Sequence, residues 1–135
     1  MSALLALQIK AALEAGNSAI APYSNFKVGA ALATSDEKIY TGCNIESSSF
    51  GLTICAERVA IFKALSEGER NFKSIVIVSS AEEFCPPCGA CRQVLSDFSS
   101  KLEVILYQNN DSLKTFSLAE LLPEAFDASY LVSND

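Results

Sequence analysis

Apolar residues at Leu4, Leu5, Ile9, Ala12 and Leu13 recur at helical spacing and predict a helix over residues 3–15, which Gly16 is suited to end. A loop through Pro22 and Asn25 follows. Two strands are predicted over 27–33 and 38–43, with Thr34, Ser35, Asp36 and Glu37 as the hairpin turn between them. Residues 47–53 read as a polar connection. Val59, Ile61, Phe62 and Leu65 mark a helix over 55–65, with Gly68 just past its end. Residues 74–78 are almost continuously β-branched and apolar, the signature of a strand buried on both faces. Pro86 and Pro87 break the chain ahead of a helix over 88–98. A buried strand over 102–107, a turn at Asn109 to Asp111, a short strand over 113–116 and a helix over 118–122 complete the order.

That order, α-β-β-α-β-α-β-β-α, implies a layered α/β domain with a mixed sheet. The turn before Leu113 is too short for a crossover, so the last two strands are expected to be antiparallel neighbours. A chain of 135 residues, half of them hydrophobic, fits one domain spanning 1–135. It needs no disulfides to compensate for size.

Charge narrows the function. Lys and Arg number 10 against 16 Asp and Glu, a formal net charge of −6. That field repels nucleic acid and anionic membrane surfaces, whereas a small neutral substrate is compatible with it. No stretch approaches the roughly 20 apolar residues that span a bilayer. The first residues run into Lys10 and Glu14 and read as a helix rather than a secretion leader. The expected location is cytoplasmic. There Cys43, Cys55, Cys85, Cys88 and Cys91 are expected to be reduced, and free for metal binding, redox chemistry or packing.

The chain contains no histidine. This excludes Ser-His-Asp triads, Cys-His nucleophile pairs and histidine zinc helices. A general base must then be a carboxylate, a lysine, a tyrosine or a thiolate, and a soft-metal site must be built mainly from cysteine. Cys88 and Cys91 stand one helical turn apart, so their sulfurs can face one point. Cys55 lies at the start of another helix. If the two helix starts meet, three sulfurs converge and a fourth tetrahedral position stays open for water, as in catalytic zinc sites. Glu57 is then close to the metal without being forced to bind it. Arg58, three residues after Cys55, can reach back to offset the excess negative charge of three thiolates around a divalent ion.

Each piece has a plainer reading. A lone C-x-x-C is more often structural, redox-active or coincidental. Glu57, Arg58 and Arg92 alone read as surface residues, and Phe26 and Phe126 alone as packing. Asn44 and Glu46 alone could be an ordinary turn. A closed zinc module with Cys85 as fourth ligand, a thiol oxidoreductase using Cys88 and Cys91, and a deaminase of some other aminated pyrimidine are the competing functions.

Five motifs together resemble the small homotetrameric zinc-dependent cytidine deaminases: P-Y-S-N-F-K-V-G-A-A-L at 22–32, T-G-C-N-I-E at 41–46, I-C-A-E-R at 54–58, P-C-G-A-C-R-Q-V at 87–94 and E-L-L-P at 120–123. The resemblance covers nearly the whole chain. It implies a three-layer α-β-α domain with a five-stranded mixed sheet. It also implies hydrolytic deamination of cytidine and 2'-deoxycytidine to the uridines and ammonia, as in pyrimidine salvage. By the same resemblance Cys55, Cys88 and Cys91 hold one Zn2+ per chain, and Glu57 shuttles protons for the zinc-activated water. Phe26 lies against the pyrimidine, Asn44 and Glu46 bind the ribose hydroxyls, and the backbone at Ala56 reads the base edge. Phe126 reaches a neighbouring subunit's pocket in a homotetramer. Cys85, where an aliphatic residue is expected, and Phe50, where some relatives carry Tyr, depart from the pattern.

Overall fold

The computed structural model describes residues 1–131. Helix α1 (Ala3–Gly16) is capped by the Ser2 side chain, which accepts from the Leu5 N–H at 3.1 Å. It precedes strands β1 (Val28–Thr34) and β2 (Ile39–Cys43). Helix α2 (Ala56–Ser66), strand β3 (Phe72–Ser79) and helix α3 (Gly89–Phe98) follow. Strands β4 (Glu103–Tyr107) and β5 (Leu113–Ser117) lead into the short helix α4 (Leu118–Leu121), which has a capping box between Ser117 and Glu120.

The strands form one mixed sheet in the order β2-β1-β3-β4-β5. Only β3 and β4 are parallel, and α3 is their crossover. The final pair is antiparallel, as its short turn requires. Period-two alternation splits the core into two layers. Leu32, Ile75, Ile77, Val104 and Leu106 face α2 and α3 with Ala60, Ile61 and Leu95. Ala31, Val76, Val78 and Ile105 face α1 at Ile9 and Ala12.

Several boundaries differ from the sequence reading. β3 is longer at both ends than the apolar run 74–78, because Phe72 and Ser79 pair with Thr34 and Val28 of β1. Cys55 and Cys88 are the caps of α2 and α3, not their first helical residues. The polar connection contains a 3-10 turn at Phe50–Leu52, and a second forms at Ala128–Tyr130. Isolated bridges from Ile45 to Ile20 and to Ile54 tie the loop after α1 to the connection between β2 and α2.

Candidate metal centre

The local sequence explains why α2 and α3 begin where they do. Cys55 and Cys88 are both extended, with ψ of 155° and 167°, and neither side chain caps its helix. Both thiols are therefore free to turn toward the space between the two helix starts. There the partial positive charge of the first turns favours thiolate. Cys91, one turn into α3, is buried and points to the same place.

The three sulfurs lie within 4.8 Å of one another. Cys55 Sγ is 3.8 Å from Cys88 Sγ, which is 3.5 Å from Cys91 Sγ. A tetrahedral zinc with Zn–S bonds of about 2.3 Å needs sulfurs about 3.8 Å apart, so this donor set fits zinc. Cys85 stands outside the group. Burial, then the nearby negative groups, push its thiol up to about 11. Cys43 ends β2 and is not part of the cluster.

The sulfurs share protons unequally. Hydrogen bonds from Cys91 and from Arg58 lower Cys55 to about 5, while Cys91, as the donor to Cys55, is pushed up. Arg58 Nη2 stands 3.7 Å from Cys55 Sγ, and its Nε is buried without a partner. Arg58 and Arg92 are both half-buried, so neither is the surface residue its type alone suggests.

Glu57 occupies the first turn of α2 and is only 4% exposed. Burial pushes its carboxyl up to about 7, against the ordinary value of 4.5. A buried carboxyl that titrates near neutrality suits a group that both takes and gives protons. It faces a cavity of about 190 Å³ lined by Phe26, Val28, Asn44, Thr53, Cys55, Ala56, Cys85 and Cys88. A larger surface hollow of about 460 Å³ lies away from the cysteines, at Glu82, Gln108, Asn109 and Asn110.

The remaining residues singled out from the sequence fall into three groups. Phe26, 37% exposed, and buried Ala56 line the cavity beside Glu57. Asn44 lines it too, but its amide is engaged: Oδ1 accepts from the Val28 N–H at 2.8 Å and Nδ2 donates to the Phe26 carbonyl at 2.7 Å. Glu46 accepts from the Tyr23 and Ser24 N–H groups at 3.0 and 3.2 Å and from the Ser24 hydroxyl. Its carboxyl is lowered, chiefly by Ser24. Phe126 does not line this chain's own cavity. It is 55% exposed and stacks on Tyr130 with ring centroids 5.2 Å apart. Phe50 is exposed and meets Tyr23 edge-on at 5.4 Å.

The family model described as "Cytidine and deoxycytidylate deaminase zinc-binding region" matches residues 5–107, which includes all three clustered cysteines. The chain belongs to this deaminase family. A cytidine deaminase from Sporosarcina psychrophila is 46% identical over 121 residues, covering 87% of this chain and 89% of that protein. A blasticidin-S deaminase from Bacillus cereus is 34% identical over 104 residues, covering 71% of this chain and 74% of the relative. The crystal structure of cytidine deaminase from Burkholderia pseudomallei superposes with a TM-score of 0.87 at 46% identity, over 93% of this chain and all of that one. The cysteine trio lies inside the matched zinc-binding region and is positioned to hold a metal ion. Among the described residues no helix is long and apolar enough to cross a membrane.

The sequence reading missed two contributors. Gly42 lets β2 approach α2 at backbone contact, since a Cβ there would stand 2.2 Å from the Ala56 carbonyl oxygen. The signal was a glycine inside a strand, which marks a close approach. Thr53 reads from sequence as the end of the polar connection where α2 opens, and in the fold its hydroxyl accepts from the Ser47 N–H at 3.0 Å and it lines the cavity.

Proposed function

We propose that this protein hydrolytically deaminates cytidine and 2'-deoxycytidine, releasing the uridines and ammonia. The observation that carries the reading is a buried Glu57, raised toward neutrality, facing one cavity together with two of three clustered thiols. Cys55, Cys88 and Cys91 would hold zinc, which when bound would supply the Lewis acidity that makes water nucleophilic at neutral pH.

The chain's own groups do the rest. Glu57 takes a proton from the attacking water and passes it to the ring nitrogen beside the amino-bearing carbon, which makes that carbon electrophilic. After attack, Glu57 takes the remaining proton from the added hydroxyl and delivers it to the amino group, so that the C–N bond breaks as the C=O bond forms and ammonia leaves. Phe26 packs against the pyrimidine, and the backbone at Ala56 reads its edge. Glu46 is accessible for the ribose hydroxyls. Asn44 has one amide hydrogen and one lone pair beyond its two internal bonds, enough to reach the sugar. The rate comes from binding the tetrahedral intermediate better than cytidine.

A cavity of about 190 Å³ is small against the roughly 300 Å³ at the lower end of ligand sites. That shortfall supports a homotetramer in which Phe126 of one copy completes the pocket of another. A free cytoplasmic nucleoside fits the acidic chain.

The test is direct. Purified protein should carry one zinc per chain and should change the ultraviolet absorbance of added cytidine to that of uridine. Zinc-loaded protein that leaves cytidine unchanged would overturn the reading.

A further inference from the structure

Each of the three cysteines is held in a different way. Cys91 is fixed by burial, and Cys55 lies against Arg58. Cys88 is exposed and caps α3 without a side-chain cap bond. The peptide preceding it is what the rest of the fold grips. Arg92 folds back from the second turn of α3, and its Nε donates to the Pro87 carbonyl at 2.8 Å. Its Nη1 donates to the Leu121 carbonyl, also at 2.8 Å. The Pro87 carbonyl and the Cys88 nitrogen belong to one planar unit, so holding that oxygen fixes the plane from which the Cys88 side chain departs. Pro87 is itself fully buried, and its ring locks φ on the other side of the same residue.

The second arm reaches a different part of the chain. Leu121 ends α4, and the segment beyond it carries Phe126. The next residue of α3, Gln93, donates through Nε2 to the Phe126 carbonyl at 2.8 Å. Consecutive side chains of α3 therefore hold the C-terminal segment at two points, and the first of them also holds the peptide before Cys88.

We infer that Arg92 is the positioning residue for the zinc ligand Cys88 and ties the C-terminal segment, at Leu121, to the same peptide. The inference rests on the cysteine trio holding zinc. Among the described residues Arg92 donates to no sulfur, so it acts on Cys88 through the Pro87 carbonyl alone. Its two acceptors lie in different directions, which suits a planar fork of donors and not a point charge.

Zinc release to a chromophoric chelator tests this without reference to catalysis. Groups that orient metal ligands typically contribute about 10- to 100-fold in metal affinity. Zinc-loaded Arg92→Gln should release its metal faster than wild type by that order. Arg92→Lys, able to reach one carbonyl and not both, should fall between them. Gln93→Leu, which frees the Phe126 carbonyl and the Asp97 carboxylate but leaves the Pro87 carbonyl held, should release zinc at the wild-type rate. Val76→Ala, in the core on the far side of the sheet, controls for general loss of stability. Wild-type release from Arg92→Gln would overturn the inference, as would equally fast release from a Val76→Ala variant of matched melting temperature. If Arg92→Gln does not fold, Arg92→Lys carries the same comparison. A wild-type protein that binds no zinc would instead overturn the metal site itself, which separates the two failures.

Discussion

Gly42 and Ala56 meet backbone to backbone: a Cβ on Gly42 would stand 2.2 Å from the Ala56 carbonyl oxygen and 2.6 Å from the Ala60 nitrogen. The contact seats the first turn of α2, and with it Cys55 and Glu57, against β2. Neither neighbouring atom can move without moving the helix. Overpacking a core typically costs about 1–3 kcal/mol. Because both obstructing atoms are backbone, Gly42→Ala should reach the upper end, measured by chemical denaturation. It should also lose zinc affinity. Wild-type stability in Gly42→Ala would show that α2 is free to shift.

The cysteines are separable by metal content. Cys88→Ser removes a donor from the clustered trio and should leave the protein without stable zinc. Cys85→Ser removes a thiol outside that cluster, which burial keeps protonated, and should retain one zinc per chain with most of its activity. Metal analysis of both variants decides between an open three-thiolate site and a closed four-thiolate one. Loss of zinc from Cys85→Ser would contradict the open site.

Glu57 makes two predictions of opposite kind. Glu57→Gln keeps the shape and should keep zinc, yet lower turnover by at least about 10,000-fold, the upper end for acid–base catalysis. In the zinc-free protein the same change should help folding. The folded carboxyl titrates near 7 and the unfolded one near 4.5, so the folded state binds the proton more tightly. The wild type therefore loses stability relative to Glu57→Gln as pH rises from about 4.5 to about 7, and the gap stays constant above that. Denaturation of the two metal-free proteins at pH 4 and pH 8 measures it. An unchanging gap would mean that Glu57 is not held in a low-dielectric site.

Arg58 offers the site a compensating cation 3.7 Å from Cys55 Sγ. Three thiolates and one divalent ion leave a net charge of about −1, which weakens the Lewis acid. Arg58→Gln should retain zinc but lower turnover and move the acidic limb of the pH–rate profile upward. Arg58→Lys should restore only part of the loss. A wild-type profile in Arg58→Gln would show that the two helix starts balance the charge by themselves.

Phe126 does not line its own chain's cavity, so sharing of pockets between copies predicts complementation. Phe126→Ala alone should raise KM, and Glu57→Gln alone should be inactive. Co-refolded mixtures of the two should recover activity, because a Glu57→Gln chain can lend its Phe126 to a neighbour with an intact Glu57. Mixtures no better than the sum of their parts would place Phe126 outside the pocket.

The amino-acid sequence alone determined what depends on near neighbours. Helical spacing placed Cys88 and Cys91 one turn apart. The near-continuous apolar runs of β3 and β4 and the short turn before β5 implied the layered sheet. The absence of histidine limited the metal site to cysteine. Tertiary structure decided what depends on contacts far apart in the chain. Cys55 meets Cys88 across 33 residues, because β1 lies antiparallel between β2 and β3, so those two strands run the same way and α2 and α3 start at the same end of the sheet. No hydrophobic pattern encodes that strand order, since β1, β3 and β4 are all buried on both faces alike. Glu57 taken alone reads as a solvated helix residue, and only the packing of α2 on β2 excludes water from it. Arg92 also read as a surface residue, and only the fold brings Leu121, 29 positions away, within reach of its guanidinium. Asn44 and Glu46 read as sugar ligands by resemblance, and the fold gives both an internal use in holding residues 23–28 beside the cavity. Backbone groups left open by a loop take whichever polar side chain the fold delivers, and the sequence does not say which one arrives.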